Sequence, residues 1–252
     1  MQVRFERILK TYKSPSGEVP ALADITFTVH EGEFVSLVGP SGCGKSTILN
    51  ILAGLEKPSG GQVLLDGQPV TGTTDRIGYM PQKDQLFPWR TIWGNVTLGL
   101  EIRHQKDRAH LERVHEMLRR YGLGDFEQVL PSQLSGGMRQ RCALIRTLAT
   151  DPGLLLLDEP FSALDYQTRL SVSDDIQSII RQEGKTAILV THDIAEAISM
   201  SDQVVVLSAR PSVIKKVFDL RELDGITPMA RRDHPLFHQY FNEIWKELDL
   251  SV

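Results

Sequence analysis

FVSLVGPSGCGKSTILNILA, residues 34–53, decides how this chain folds. Residues 34–38 are an apolar run of strand length, residues 39–46 fit the pattern G-x-x-x-x-G-K-[ST], and residues 47–53 read as a helix. A strand that turns through glycines into a helix leaves backbone N–H groups unpaired at the helix start, where the aligned peptide dipoles favour an anion. Gly39, Ser41, Gly42, Cys43 and Gly44 belong to that turn. Lys45 adds a point charge suited to the β- and γ-phosphates of a nucleotide, and the Ser46 hydroxyl, next to Thr47, can ligate Mg2+. A glycine-rich turn without a ligand is the competing reading, and the strand before it and the helix after it argue against that. Cys43 sits where the pattern specifies no residue type; it reads as a small filler, with modification of its thiol as the alternative. The segment points to a bound nucleoside triphosphate.

Outward from this segment, residues 154–157, 187–190 and 204–207 are further short apolar runs bounded by polar residues. Strands buried on both faces read this way. Helical patterns at 45–53, 170–180 and 194–200 separate them, and strands alternating with helices imply a parallel α/β sheet. Residues 22–29 alternate imperfectly, as a half-buried strand does, and residues 62–70 read as a hairpin around Asp66-Gly67. Between 88 and 148 no buried strand run occurs, while Leu111, Val114, Leu118 and Tyr121 fall at helical spacing, so this stretch reads as a helical insertion. From about Arg221 the chain forms a separate tail. Residues 238–249 place Tyr240, Phe241, Ile244, Trp245 and Leu248 on one stripe, an amphipathic helix docked on the domain or offered to a partner.

The chain has 252 residues, 41% apolar and 24% charged, enough to bury a sizeable core. Its 28 basic residues against 32 acidic ones give no electrostatic case for a nucleic-acid partner. No run approaches the length that spans a bilayer, and MQVRFERILK has no apolar run behind its charges, so no secretory signal is expected. Cys43 and Cys142 form neither a disulfide framework nor a metal pattern. A cytosolic soluble protein is the expectation.

Two more segments carry chemistry. The run at 154–157 ends in Asp158-Glu159-Pro160, placing two acids at the carboxyl end of a buried strand, where parallel sheets bind ligands. A phosphate-bound Mg2+ gives adjacent carboxylates a reason to coexist: Asp158 would hold the metal, and Glu159 would polarise the attacking water as general base or hydrogen-bond acceptor. Alone, the triplet also reads as a solvated turn. Ser135-Gly136-Gly137 opens a helix that Ser135 can cap, and the glycines leave first-turn N–H groups open to an anion.

Taken in order, GPSGCGKST, LSGGMRQR and LLLLDEP resemble the signatures of ATP-binding-cassette ATPases, and the resemblance covers about residues 1–218. It implies a P-loop NTPase with a RecA-like parallel core, an N-terminal antiparallel β subdomain and the inserted helical subdomain, the cassette running over 1–220 and a helical tail over 221–252. It implies ATP and Mg2+ as ligands, with Lys45, Gln82, Glu159 and His192 as catalytic residues. Ser46, Gln82 and Asp158 would hold the metal. Gly39, Ser41, Gly42, Cys43, Gly44, Lys45, Ser46 and Thr47 would hold the nucleotide, with Ser135, Gly136 and Gly137 reaching it from a second copy. Tyr12 resembles the aromatic that stacks on adenine, though a surface tyrosine is its other reading. His192 resembles the switch histidine that reports the γ-phosphate, and 162–165 the D-loop.

Two function classes then compete. One is the energising subunit of a transporter, peripheral on the cytoplasmic face of the membrane, docked on a separate permease and served by a solute-binding protein. The other is a soluble cassette ATPase acting on DNA or ribosomes. A single cassette without a heptad run or basic tail favours the first. Phe87-Pro88-Trp89-Arg90 and the tail segments 231–235 and 244–248 look like the nitrate, sulfonate and taurine importer group. Cys142 and Ile145-Arg146-Thr147 depart from that family's usual pattern in ways that alter helix packing only.

Overall fold

Along the chain, β1 (Val3–Ser14) and β2 (Gly17–Val29) precede β3 (Phe34–Val38), which leads through the glycine-rich turn into α1 (Lys45–Leu52). β4 (Gly60–Leu65), β5 (Gln68–Pro69) and β6 (Ile77–Met80) follow, then α2 (Ile92–Val96), α3 (Leu98–Ile102), α4 (Arg108–Arg120) and α5 (Gly136–Leu148) with no strand among them. The second half runs β7 (Leu154–Asp158), α6 (Tyr166–Gln182), β8 (Thr186–Thr191), α7 (Ile194–Met200), β9 (Gln203–Leu207) and β10 (Ile214–Asp219), and ends in α8 (Pro228–Arg231) and α9 (Pro235–Leu248). This computed structural model describes residues 1–15 and 17–248.

Two sheets result. One is antiparallel, in the order β2-β1-β4-β5; the other has the order β10-β9-β3-β8-β7-β6. In the larger sheet β9, β3, β8, β7 and β6 are parallel, and β10 alone runs antiparallel, on β9. The alternation of strands and helices in the sequence implies the parallel core and says nothing of β10. Residues 208–213 are too few to cross over, so the chain can only turn back on itself, and antiparallel pairing follows.

The apolar runs are buried on both faces, as their continuity requires. Leu155 and Leu157 of β7 pack with Val114, Leu118 and Ile176 on one side, while Leu154 and Leu156 pack with Ile48, Leu52 and Phe5 on the other. Asp66 and Gly67 take positive φ, 49° and 78°, and make the tight turn of the β4–β5 hairpin.

A third cluster docks the tail against α7 and β9, with Phe237 and Ile244 of α9 buried beside Val204 and Val206. Tyr240, Phe241 and Leu248 pack partly against it, but Trp245 is 57% exposed. The expected stripe therefore holds without Trp245, because the buried line is centred on Phe237 and Ile244. Asp249 lies outside the described residues. Arg231 is 1% exposed and donates to the carbonyls of Leu223, Ile226, Ile198 and Ser201, which ties the start of the tail to α7. Among the described residues no helix is long and apolar enough to cross a membrane.

Candidate nucleotide site

Sheet register brings the motif residues together. Val38 pairs with Thr191, Asp158 with Val190, and Met80 with Leu157, so β3, β8, β7 and β6 end at one level. The chain leaves these four neighbouring strands into the glycine-rich loop, His192, Glu159 and Gln82 respectively. Residues scattered over 150 positions thus meet at the carboxyl edge of a parallel sheet.

Within the loop, Gly44 has a φ of 115°, a backbone that favours glycine, and a Cβ there would press the end of the Leu22 side chain at 2.7 Å. A Cβ on Gly39 would come within 2.8 Å of Cys43 Sγ. The Cys43 thiol, 1% exposed, therefore fills the space beneath Gly39. Burial pushes that thiol up, against the pull of Lys45, so it is a poor nucleophile. Lys45 is 6% exposed and its ammonium donates to the carbonyls of Gly39 at 2.7 Å and Pro40 at 3.0 Å, which fixes a positive charge inside the curl of the loop.

The two acids face different neighbours. Asp158 accepts from Ser46 Oγ at 3.3 Å and from the Tyr79 hydroxyl at 3.1 Å. Burial raises its carboxyl above the usual range, the two hydrogen bonds opposing and the adjacent Glu159 charge adding to the rise. Glu159 Oε2 lies 3.1 Å from His192 Nδ1 and 3.5 Å from Gln82 Nε2, and Gln82 also donates to Ser162 Oγ at 3.2 Å. The Glu159 backbone is left-handed, with a φ of 46°, and its N–H donates to Val190 O at 2.9 Å.

Ser41, Gly42, Lys45, Glu159 and His192 line one cavity of about 640 Å3, together with Gly44, Ser46 and Thr47. Gly39 lines a neighbouring hollow with Pro40, His192 and Trp245. Tyr12 stands beside the site: its hydroxyl meets Thr47 Oγ1 at 3.1 Å and donates to Glu56 at 2.8 Å, and Lys10 Nζ sits 4.9 Å from its ring centroid. Ser135 caps α5, accepting from Met138 N at 3.3 Å. Gly137 is packed on α6, where a Cβ would meet Val172 Cγ2 at 2.6 Å, so it serves helix packing besides leaving its N–H free. Ser135, Gly136 and Gly137 are not walls of their own chain's cavity.

Two residues of the site escaped sequence reasoning. Tyr79 holds Asp158, and its hydroxyl is pushed up by burial and by that carboxylate. Arg210, on the β9–β10 loop, lines the main cavity and donates to Gly42 O at 2.8 Å. No motif or spacing in the sequence marks either residue. Among the described residues no group of three or more His, Cys, Asp or Glu could hold a metal. Ser46 Oγ and the Asp158 carboxylate, 3.3 Å apart, nevertheless form a hard-oxygen donor pair of the type that completes a Mg2+ shell with phosphate oxygens.

A glycine-rich phosphate loop on the central strand, with acids and a histidine from the adjoining strands, defines a nucleotide-binding α/β protein of the P-loop class. The sequence model described as ABC transporter matches residues 22–162. The uncharacterized ABC transporter ATP-binding protein YtlC of Bacillus subtilis is 46% identical over 97% of this chain and 94% of its own length. The aliphatic sulfonates import ATP-binding protein SsuB of Bacillus cereus is 41% identical over 87% of this chain and 86% of its own. Among solved structures, the dimeric ABC transporter cassette MJ0796 superposes with a TM-score of 0.74 at 34% identity, covering 87% of this chain and 99% of that one. A dimeric post-hydrolysis state of the same cassette, bound to ADP and Pi, gives 0.72 at 33% identity, with the same coverage. This chain belongs to the ABC transporter ATP-binding family: it is an ATP-binding subunit and an ATPase.

Proposed function

We propose that the chain energises uptake of a small solute of the sulfonate, taurine or nitrate type through a separate membrane permease, by ATP-driven closing and opening of two copies of itself. The observation that carries the reading is the meeting of the glycine-rich loop, Glu159, His192 and Gln82 at four adjacent strand ends. In this reading Lys45 and the loop N–H groups hold the phosphates. Glu159, kept beside His192 by a 3.1 Å contact, accepts a proton or hydrogen bond from the attacking water. Ser46, Asp158 and Gln82 would hold a magnesium ion, which supplies charge neutralisation on the phosphate oxygens. Gln82 donates from its amide nitrogen to Glu159 and Ser162, leaving its carbonyl oxygen for that ion.

Ser135 caps α5 through Met138 N, and Ser135, Gly136 and Gly137 lie outside the lining of their own chain's cavity, so in this reading their N–H groups serve a nucleotide held by a second copy. ATP shared across that interface closes the pair, and loss of the γ-phosphate opens it. In this reading Tyr12, whose hydroxyl meets Thr47 Oγ1 at 3.1 Å, would stack on the base. The cassette at 1–220, the helical insertion at 88–148 and the tail at 221–252 are the units we assign. The solute class rests on kinship with the sulfonate-import relatives. Trp89, 72% exposed a few residues beyond Gln82, offers the permease an apolar contact on the cytoplasmic side of the membrane.

Glu159→Gln tests the mechanism: it retains ATP affinity, loses at least about a hundredfold in turnover, and elutes as a dimer with Mg-ATP. Wild-type turnover in that variant, or a monomer at saturating Mg-ATP, refutes it. Alkanesulfonate-stimulated ATPase activity in the complex with permease and binding protein tests the solute; no response to sulfonate, taurine or nitrate removes that part alone.

A further inference from the structure

The β9–β10 loop is held by more than its own ends. Ser212 is fully buried; its N–H donates to Ala21 O at 2.9 Å, and its carbonyl accepts from Ala23 N at 2.8 Å. Within the loop, Ser208 N donates to Val213 O at 2.9 Å and Ser208 Oγ accepts from Val213 N at 3.0 Å. The loop is thereby sewn to β2 on one side and anchored on β9 on the other. Arg210 projects from this fixed base into the wall of the phosphate-loop cavity.

Its guanidinium carries five N–H donors, and among the described residues it makes one hydrogen bond, Nη2 to Gly42 O at 2.8 Å. Among the described residues Arg210 has no carboxylate partner, unlike Arg76, Arg90, Arg139 and Arg169, which all form ion pairs. An exposed arginine held at a cavity wall, with its charge unpaired and most of its donors free, is equipped to grip the oxygens of a phosphate group. The Gly42 contact also orients the fork, since it anchors one edge on the loop that the phosphates would enter.

We propose that Arg210 is a nucleotide-binding residue whose guanidinium takes a phosphate oxygen of the bound nucleotide from the wall formed by the β9–β10 loop. The inference rests on the phosphate-loop reading of the cavity. It adds a second cation to Lys45, supplied by a segment far away in sequence and fastened to β2, so that the antiparallel sheet and the core sheet both bear on nucleotide affinity.

Titration calorimetry of the full chain with ADP and with a non-hydrolysable ATP analogue, both with Mg2+, tests it. Arg210→Gln keeps a donor for Gly42 but removes the charge, and is expected to weaken binding about tenfold. Arg210→Lys should recover most of that loss, and Arg210→Glu should weaken binding by about a hundredfold. A loss confined to the ATP analogue assigns the contact to the γ-phosphate, and an equal loss for both ligands assigns it to the inner phosphates. Affinity within twofold of wild type in Arg210→Gln overturns the proposal. So does a Lys variant as weak as the Gln variant, which would mark the side chain as a brace for Gly42. Lys45→Ala is the control: if it too binds normally, the phosphate-loop reading fails, whereas its failure to bind beside a normal Arg210→Gln sinks Arg210 alone.

Discussion

Glu196→Gln should stabilise this protein at pH 8 and leave it unchanged near pH 4.5. Glu196 lies in the first turn of α7, four residues past His192, and is 4% exposed. Its Oε2 accepts from Thr191 Oγ1 at 2.7 Å, while Oε1 is buried with no partner among the described residues. Burial pushes its carboxyl up from 4.5 to about 7; Asp193 adds to the rise, and Arg169, Arg232 and the Thr191 bond oppose it. Because the folded value lies above the unfolded one, the folded chain binds more protons between those two pH values. Stability is therefore fully present below about pH 4.5, falls as pH rises to about 7, and is level above. A rise of that size corresponds to about 3 kcal/mol. Glutamine matches the protonated acid in shape and cannot ionise, so the variant avoids the whole penalty at pH 8. For a chain of this length, about 3 kcal/mol moves the melting temperature by roughly 6–12 °C. Thermal melts of wild type and variant across pH 4.5–8 give the difference directly. A variant no more stable than wild type at pH 8, or one displaced equally at both ends of the range, would refute the reasoning.

Tyr79→Phe deletes the donor to Asp158 Oδ2, so the half-buried carboxylate loses one of its two side-chain bonds. We expect the Mg2+ concentration that half-saturates ATPase activity to shift by about three- to tenfold, and an unshifted magnesium curve would show that Tyr79 does not orient Asp158. Gly137→Ala places a methyl 2.6 Å from Val172 Cγ2 between α5 and α6. Overpacking there should cost about 1–3 kcal/mol in denaturant unfolding, whereas a neutral result would mean that the two helices separate freely.

Much of the core was legible because strands buried on both faces need no alternation, and runs such as 154–157 announce themselves by continuity. β1 was not. Its register slips between Phe5 and Ile8 and again between Ile8 and Lys10, so Val3, Phe5 and Ile8, though all buried, do not keep one parity. β10 escaped for another reason: Lys215, Lys216 and Val217 are exposed on an edge strand, and nothing in IKKVFD marks a buried face. In the site, the glycine-rich loop and the acid pair were readable as local chemistry. Tyr79 and Arg210 acquire their places only from which strand lies beside which, β6 against β7 and the β9–β10 loop against β2. No spacing in the sequence carries that information.

The order of the two acids follows from the pleat of β7. Leu154 and Leu156 face the cluster that contains Ile48 and Leu49 of α1, so Asp158, of the same parity, emerges toward Ser46 at the start of that helix. Tyr79 of β6 packs on the same side and completes the bond to Asp158. Leu155 and Leu157 face the opposite cluster, and Glu159 shares their parity. Its left-handed backbone, closed by bonds from Ser162 N and Ser162 Oγ to its carbonyl at 3.2 and 3.0 Å, ends the strand and turns the carboxylate to His192 and Gln82. Adjacent carboxylates are thus sent to opposite faces of one sheet edge, one to the helix that carries Ser46 and the other toward His192 and Gln82. A slip of β7 by one residue would exchange them and leave the shorter acid facing His192, with charge and composition unchanged.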